Sequence, residues 1–590
     1  MPSSSEERLS NLRGRERSDA ATASARTPIA WMKSHWPLGA VLGVFALLVV
    51  VINPLREVPY EDDWSYTSMV RHLLETGQYR VDDWSAANPV SHIYWGALFA
   101  RLFGFSFASL RISTLVLLAA GLCGMYMLAR EHRLTARQAG LVTFILLVSP
   151  LTVLLGFSYM TDVPYLACIV LGLAFYTRAL RLNSYALALV GSVFAAAAIL
   201  NRTFGVAFVP GLALVWLLSS RKRNTLWLFL TAMALPILAT GWQLWANAGT
   251  PNWAIPLHME WQSAYVTNMH RLPPEMFWRL GVTLEYLALF SLPLIPVAAA
   301  EWWHSVKSRS TQTPGPGKYW RNSAFGALAA AVIFLVVANL IGVTVLQPAA
   351  TGPGRPPPGL LMPIIGWCFD LIEKYPSIAV AVTVVVFTGA VFYARAIILR
   401  YAGGAWREIP GHEALLDTVT LCLVLLQITY FQFFDRYLLP LLPFVLIVVA
   451  RRAGDWLDRF ARHTVALLLA ATVVVTLYVR NHLVYYEAVW ASSTNLVAHG
   501  VAAQQISSSW EWAFYHGAFD DYLRAYDGHP PGSDPREHFY RTWYKRMTTT
   551  APYFMELNEL KGSHVQLIST VSYRDLLLRE RTVHVYKRLP

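Results

Sequence analysis

Three acidic residues stand in a row at Glu61-Asp62-Asp63, followed by Trp64-Ser65-Tyr66. Adjacent carboxylates repel and raise one another's pKa unless a cation or a reaction uses their charge. Tyr66, Met69, Val70, Leu73 and Leu74 fall on one helical face that ends at Gly77, so Asp62 or Asp63 is placed to cap a helix. One cap needs one carboxylate, which leaves acid–base chemistry for another. A second acidic run, Asp82-Asp83-Trp84-Ser85, echoes the first and reads as a polar loop or cap. It precedes Asn88-Pro89 and an amphipathic stretch over 92–103.

Further along, Asp162 lies in the short segment Ser158-Tyr159-Met160-Thr161-Asp162-Val163-Pro164, at the end of an apolar run. An acid followed by proline is ordinary helix-start chemistry, but an ionisable group at membrane depth is also a candidate functional residue. Arg202, in Asn201-Arg202-Thr203-Phe204-Gly205, and Arg436, in Asp435-Arg436-Tyr437, offer guanidinium groups suited to a phosphate. The bland alternatives are an arginine reaching lipid headgroups at 202 and a local pair with Asp435 at 436. His258 and Glu260 form a lone His-x-Glu, a weak metal pattern. The metal-ligating candidates are Asp62, Asp162 and His258.

The elements that must position these residues are membrane helices. The chain has 590 residues, 55% hydrophobic and only 14% charged, against about 25% charged in a soluble domain. Mean hydropathy is +0.39. The net charge of +12 is dispersed between apolar runs, which argues against nucleic acid as a partner. Cys123, Cys168, Cys368 and Cys422 are scattered with no CxxC spacing, so neither a zinc knuckle nor a disulfide framework is implied. A span needs about 20 mostly apolar residues, and about thirteen such stretches are present. They lie near 36–54, 109–129, 138–157, 163–180, 184–200, 204–220, 225–246, 280–303, 323–346, 376–399, 415–434, 437–451 and 464–480.

With the N-terminus in the cytoplasm, the inside segments carry about 25 Lys and Arg and the short outside loops roughly 6, as the positive-inside bias requires. Asn53-Pro54-Leu55-Arg56 offers no small-residue cleavage site, so the first run reads as an uncleaved helix. The expected organisation is a disordered cytoplasmic tail over 1–35, a transmembrane domain over 36–481 with a large outer loop over 55–108, and an extracytoplasmic segment over 482–590. In the last, a helix over 488–505 and strands at 564–570 and 582–587 predict a small α/β domain. The Pro-rich stretch 347–358 reads as an outer loop and 314–317 as a cytoplasmic one. The fold class is thus an α-helical polytopic protein of the plasma (inner) membrane, with outer-face interfacial helices and a C-terminal α/β domain outside.

This order of features resembles the GT-C membrane glycosyltransferases, among them protein O-mannosyltransferases and lipid A aminoarabinose transferases. Asp62-Asp63-x-x-Tyr66 has the spacing of that family's Asp-Glu-x-x-Tyr, Asp162 matches its second acidic position, Arg202 precedes a glycine as its Lys or Arg does, and Arg436-Tyr437 matches its Arg-Tyr. Ala87-Asn88-Pro89-Val90-Ser91 departs from the Glu-Lys-Pro-Pro-Leu of the aminoarabinose transferases. The resemblance implies a polyprenyl-phosphate-linked sugar as donor, a lipid, glycan or protein of the cell envelope as acceptor, membrane lipids as surroundings, and no nucleotide cofactor. It implies an inverting transfer with Asp62 as general base, Asp63 as the adjacent acid, and Asp162 orienting the acceptor or a divalent cation. Tyr66, Arg202, Arg436 and Tyr437 would bind substrate. The alternatives are a transporter or flippase of lipid-linked sugars, which should show internal repeats, and a non-enzymatic assembly subunit.

Overall fold

The computed structural model describes residues 34–218, 222–249, 252–268, 273–310, 376–402, 409–526, 538–560, 562, 564–575 and 579–589. The expected span 323–346, the loops at 314–317 and 347–375, Cys368 and nearly all of the 1–35 tail lie outside these residues.

The described chain is predominantly helical. Helix α1 (Trp36–Ile52) is followed by an extended stretch, then by α2 (Asp63–Thr76) and α3 (Val90–Phe103). The residues at α2's C-terminus behave as the pattern predicts: Gly77 adopts φ 71°, the left-handed cap that glycine tolerates. Helix α3 buries His92, Ile93, Gly96, Ala97 and Ala100 and exposes Tyr94, Leu98, Leu102 and Phe103. An exposed apolar face on a short helix suits the lipid interface.

The chain continues through α4 (Phe107–Glu131), α5 (Ala136–Val148), α6 (Pro150–Gly156), α7 (Asp162–Leu182) and α8 (Tyr185–Ile199). A 3₁₀ turn (Thr203–Ala207) leads to α9 (Phe208–Leu218), α10 (Lys222–Gly249), α11 (Ala254–Thr267), α12 (Pro273–Phe290) and α13 (Ile295–Ser310). After these come α14 (Pro376–Tyr401), α15 (Gly411–Ile428), a second 3₁₀ segment (Asp435–Leu441), α16 (Leu442–Ala453), α17 (Asp455–Arg459) and α18 (Ala461–Ala498). Six described helices are long and apolar enough to cross a membrane, and up to eight spans result if each of two bent pairs counts as one. The pairs are α5–α6, bent by 62°, and α12–α13, bent by 85°. Helices α1, α8 and α9 are shorter and apolar. The expected span at 437–451 becomes helical only from Leu442, after the 3₁₀ segment that contains Pro440.

Segments expected on the cytoplasmic side meet one another at one end of the bundle. Arg133 and Arg451 both pair with Glu413, Arg395 and Arg452 both pair with Glu301, and Gln138 donates to Asp458. A side chain at Gly140 would collide with Pro37, so α1 starts at this same end. The loops bearing Asp62, Asp162, Arg202 and Arg436 meet at the other end.

The expected helix over 488–505 is the continuation of the last span, because α18 runs unbroken to Ala498. Beyond it, β1 (Ile506–Ser507), α19 (Trp510–Tyr515), α20 (Ala518–Ala525), α21 (Lys545–Thr550), β2 (Tyr553–Glu556), β3 (Val565–Arg574) and β4 (Glu580–Arg588) form a small α/β unit. Its sheet has the order β1-β2-β4-β3, with β1 and β2 parallel and the other pairs antiparallel. Val583 packs against Ala488 and Val489, and Val585 against Leu496, so the sheet rests on the C-terminal end of α18. A second cluster, of Phe514, Phe519, Tyr522 and Phe539, closes over Trp64 and Trp84 and joins this unit to α2 and the loop that follows it.

Candidate active site

The stretch between α1 and α2 is fixed by a buried arginine. Arg111, 1% exposed on α4, donates to the carbonyls of Pro54, Arg56 and Val58 at 2.8–2.9 Å. Glu57 accepts from the backbone N–H groups of Phe107 and Ala108 at the start of α4, and Arg56 pairs with Glu487 on α18. The chain leaving this anchor passes through Glu61 at φ 55°, a left-handed conformation that costs a non-glycine residue energy.

The three acids of the loop then separate. Asp63 is 1% exposed; its two oxygens accept from the backbone N–H of Tyr60 at 2.6 Å and of Tyr159 at 3.2 Å. It ties α2 to the loop before α7, and burial pushes its pKa up to about 7 against the lowering influence of Arg111. Asp62 occupies the N-cap position of α2, yet its side chain makes no capping bond. It accepts from Trp84 Nε1 at 2.9 Å and faces Arg436 Nη2 at 3.7 Å. Glu61 is raised to about 7 by burial and by Asp62, with Arg436 opposing.

Asp62 and Glu61 open onto a cavity of about 720 Å³. Tyr66, Trp84, Arg202, His258, Arg436, Tyr437 and Tyr540 also line it, together with Phe204, Tyr430 and Phe434. Arg202 follows α8 and precedes Gly205, where an added Cβ would lie 2.6 Å from backbone atoms of Ala198 and Ile199. Only glycine lets the 3₁₀ turn fold this tightly against α8, and the turn aims Arg202 at the cavity. Its Nε donates to Thr161 Oγ1 at 2.9 Å, its Nη2 lies 3.0 Å from Asp162, and its guanidinium sits 5.1 Å over the Tyr437 ring.

Asp162 is 2% exposed and stands behind Arg202, outside the cavity lining. Its contact with Arg202 is a charge contact without hydrogen-bond alignment. Arg436 is over the Phe434 ring at 5.1 Å. Burial alone would lower its pKa, but Asp162, Tyr437 and Asp62 more than offset this and hold it charged. Asp435 accepts from the backbone N–H of Arg436 at 2.6 Å, while the Arg436 guanidinium turns toward Asp62. Burial raises the Tyr66 hydroxyl to about 12, so it is neutral and able to donate.

The cavity therefore brings together Asp62, Tyr66, Arg202, Arg436, Tyr437 and His258, and leaves Asp63 and Asp162 buried outside its lining. His258 Nδ1 bonds the Ala254 carbonyl within its own helix. Among the described residues no three His, Cys, Asp or Glu side chains are grouped so as to hold a metal ion. The candidates Asp62, Asp162 and His258 have the partners given above and form no ligand set. Three contributors were not singled out from sequence. In the sequence Glu61 carries no signal of its own beyond its place in the acidic run. Trp84 lies in the Asp-Asp-Trp-Ser echo, whose Asp82 accepts from Ser65 Oγ and Trp84 N and so fixes the tryptophan against α2. Tyr540 comes from the C-terminal unit and carries no local signal.

The fold and site define a multi-pass membrane protein with a carboxylate and two arginines in one cavity beyond its apolar helices. Residues 87–245 match the family described as dolichyl-phosphate-mannose-protein mannosyltransferase. That stretch includes Asp162 and Arg202, and the match supports the GT-C resemblance drawn from the sequence. A comparison with curated protein sequences finds no match.

Among solved structures, the chain is similar to ArnT from Cupriavidus metallidurans bound to undecaprenyl phosphate, at 15% identity and TM-score 0.38, over 95% of this chain and 98% of that one. It is similar to the oligosaccharyltransferase AglB from Archaeoglobus fulgidus in complex with an inhibitory peptide and a dolichol-phosphate, at 12% identity and TM-score 0.42. That match covers 86% of this chain and 61% of AglB. A complex of the same archaeal enzyme with Zn and sulfate matches at 12% identity and TM-score 0.34, over 84% of this chain and 58% of that one.

Proposed function

We propose that this protein is an integral-membrane glycosyltransferase. It takes a sugar from a polyprenyl-phosphate donor and transfers it, with inversion, to a lipid, glycan or protein acceptor of the cell envelope. The observation that carries this reading is the meeting of Asp62 with Arg202 and Arg436 in one cavity. A carboxylate able to take a proton faces guanidinium groups able to receive a phosphate.

In the proposed reaction the acceptor hydroxyl attacks the anomeric carbon, forming the new C–O bond as the bond to the donor phosphate breaks. Asp62 takes the hydroxyl proton. The phosphate oxygen gains negative charge as it leaves, and Arg202 and Arg436 are placed to neutralise it. Trp84 holds the base through its Nε1–H. Asp162 holds Arg202 rather than touching acceptor or donor, and Asp63 holds the loop that presents Asp62. The aromatic walls, Trp84, Tyr437 and Tyr540, offer faces for a sugar ring. A divalent cation, if bound, would supply charge stabilisation at the phosphate. The candidate ligands do not assemble into a set for it, and no step above is routed through one.

The cavity end is assigned to the outer face of the plasma membrane and the N-terminal tail to the cytoplasm, by the distribution of Lys and Arg. The transporter reading gains nothing from the family match. The test is transfer by the purified protein from a synthetic polyprenyl-phosphate sugar, read beside a comparison of envelope glycolipids and glycoproteins from cells with and without the protein. Identical glycan profiles and no turnover of any lipid-linked sugar would overturn the proposal.

A further inference from the structure

A second cavity, of about 320 Å³, lies at the opposite end of the bundle from the acidic site and is lined by Arg133, Arg400, Arg451, Arg452 and Glu413. These residues come from separate parts of the chain: the turn after α4, where Arg133 has φ 66°, the end of α14, the start of α15 and the end of α16. Apolar side chains share the lining, among them Leu399 and Val448 from two of the same helices.

The charges here do not balance. Arg133 and Arg451 share the buried Glu413, Arg395 and Arg452 share Glu301, and Arg400 holds Asp417. Five guanidiniums face three carboxylates in this set, leaving two positive charges. Donors also remain. Arg133 and Arg452 each engage their carboxylate through Nε, and Arg451 through Nη1, whereas a guanidinium carries five N–H donors. Glu413 is 2% exposed while Arg133 and Arg452 are 66% and 39% exposed, so the acid is an interior anchor and the outer edges of the arginines are accessible.

The cavity sits where the apolar helices end, which is headgroup level in a membrane. Arginines and apolar side chains in one lining match one chemistry, a phosphodiester headgroup joined to acyl chains. Basic pockets between membrane helices on the cytoplasmic side are recognition sites of this kind. We infer that this cavity is a binding site for an anionic phospholipid of the leaflet opposite the active site. The inference rests on the membrane-spanning fold and is independent of the reaction proposed above.

The test uses the full chain in mild detergent, with phosphatidylglycerol and phosphatidylcholine of equal chain length offered in competition and bound lipid read by native mass spectrometry. Phosphatidylglycerol is expected to be retained preferentially, and the double variant Arg133→Gln, Arg452→Gln to lose that preference by roughly 5-fold for each arginine removed. Glu413 keeps Arg451 and Glu301 keeps Arg395 in this variant, so no buried carboxylate loses its last partner and the thermal midpoint in phosphatidylcholine is expected to stay close to that of the unaltered chain. If the variant does not fold, the two-lipid comparison on the unaltered chain still decides. Equal retention of the two lipids, or a preference untouched in a folded variant, overturns the inference. Displacement of phosphatidylglycerol by millimolar inorganic phosphate would assign the pocket to a free anion and overturn it as well.

Discussion

Asp62→Asn separates the proposed catalytic role of the acidic run from its structural one. An asparagine keeps an oxygen for Trp84 Nε1, which now bonds the carboxylate at 2.9 Å. The helix start is unaffected, because Asp62 makes no side-chain cap and its contribution there is the backbone carbonyl that receives Ser65 N at 3.1 Å. The Arg436 contact, at 3.7 Å and with Asp62 26% exposed, is too long for a charged hydrogen bond. Its loss should change stability by no more than about 1 kcal/mol. The proton acceptor, by contrast, disappears, and loss of a general base costs on the order of 10²–10⁴-fold in rate. That corresponds to about 3–5 kcal/mol of barrier. The assay is single-turnover transfer from a purified polyprenyl-phosphate sugar, with a melting curve in the same detergent. Asp63→Asn is the structural control: it replaces one of two oxygens that accept backbone N–H groups, so it should lose about 1–3 kcal/mol of stability and less rate. Asp83→Asn should do little, because an asparagine oxygen still accepts from Trp253 N, 3.1 Å from Asp83 Oδ1, and only the pair with an exposed Arg80 is lost. Repeating the assay across added divalent metal distinguishes a base from a cation ligand, since metal should not rescue a missing base. A folded Asp62→Asn protein that transfers at the unaltered rate would refute the assignment.

Four further outcomes are expected. Trp84→Phe keeps the aromatic contacts with Phe514 and Phe519 but removes the donor to Asp62; kcat should fall about 10-fold, the worth of a hydrogen bond to a charged group, with KM for donor little changed, and an effect on KM alone would count against it. Arg202→Ala leaves Asp162, 2% exposed, without its ion-pair partner, so it should destabilise by about 3–5 kcal/mol, whereas Arg202→Lys should remain folded and raise KM for the donor; equal melting curves for both variants would refute the pairing. Glu61 has its folded pKa raised from 4.5 to about 7, so the folded state holds the proton more tightly and stability is lost as pH rises from about 4.5 to 7; Glu61→Gln should flatten that slope in pH-resolved melting, and an unchanged slope would remove Glu61 as its source. A reporter active only outside the cell, fused after Pro590, should be active, and silence would reverse the orientation.

How much of this was legible in sequence follows from what kind of interaction each feature uses. Span positions are set by the hydropathy of contiguous residues, a local property. The end of α2 at Gly77 is equally local, because only the left-handed glycine cap is needed to stop the helix. The candidates Asp62, Tyr66, Arg202, Arg436 and Tyr437 could be proposed because charges at the ends of apolar runs are costly and hence few. The bends at α5–α6 and α12–α13 and the unbroken run of α18 to Ala498 depend on packing, which hydropathy does not carry.

The sequence by itself therefore determined the membrane class, the approximate helices and the residue types available for chemistry. The tertiary structure decided which of three consecutive acids are presented. Asp63 is claimed by backbone N–H groups from two separate loops, while Glu61 and Asp62 open onto the cavity and Asp62 faces Arg436. It also decided that Asp162 stands behind Arg202, and that Trp84 and Tyr540, more than 450 positions apart in the chain, share one wall of the cavity. The physical reason is that burial and hydrogen-bond partnership are properties of three-dimensional neighbours. A carboxylate becomes support or reagent according to which N–H groups fold against it, and no local pattern records that choice.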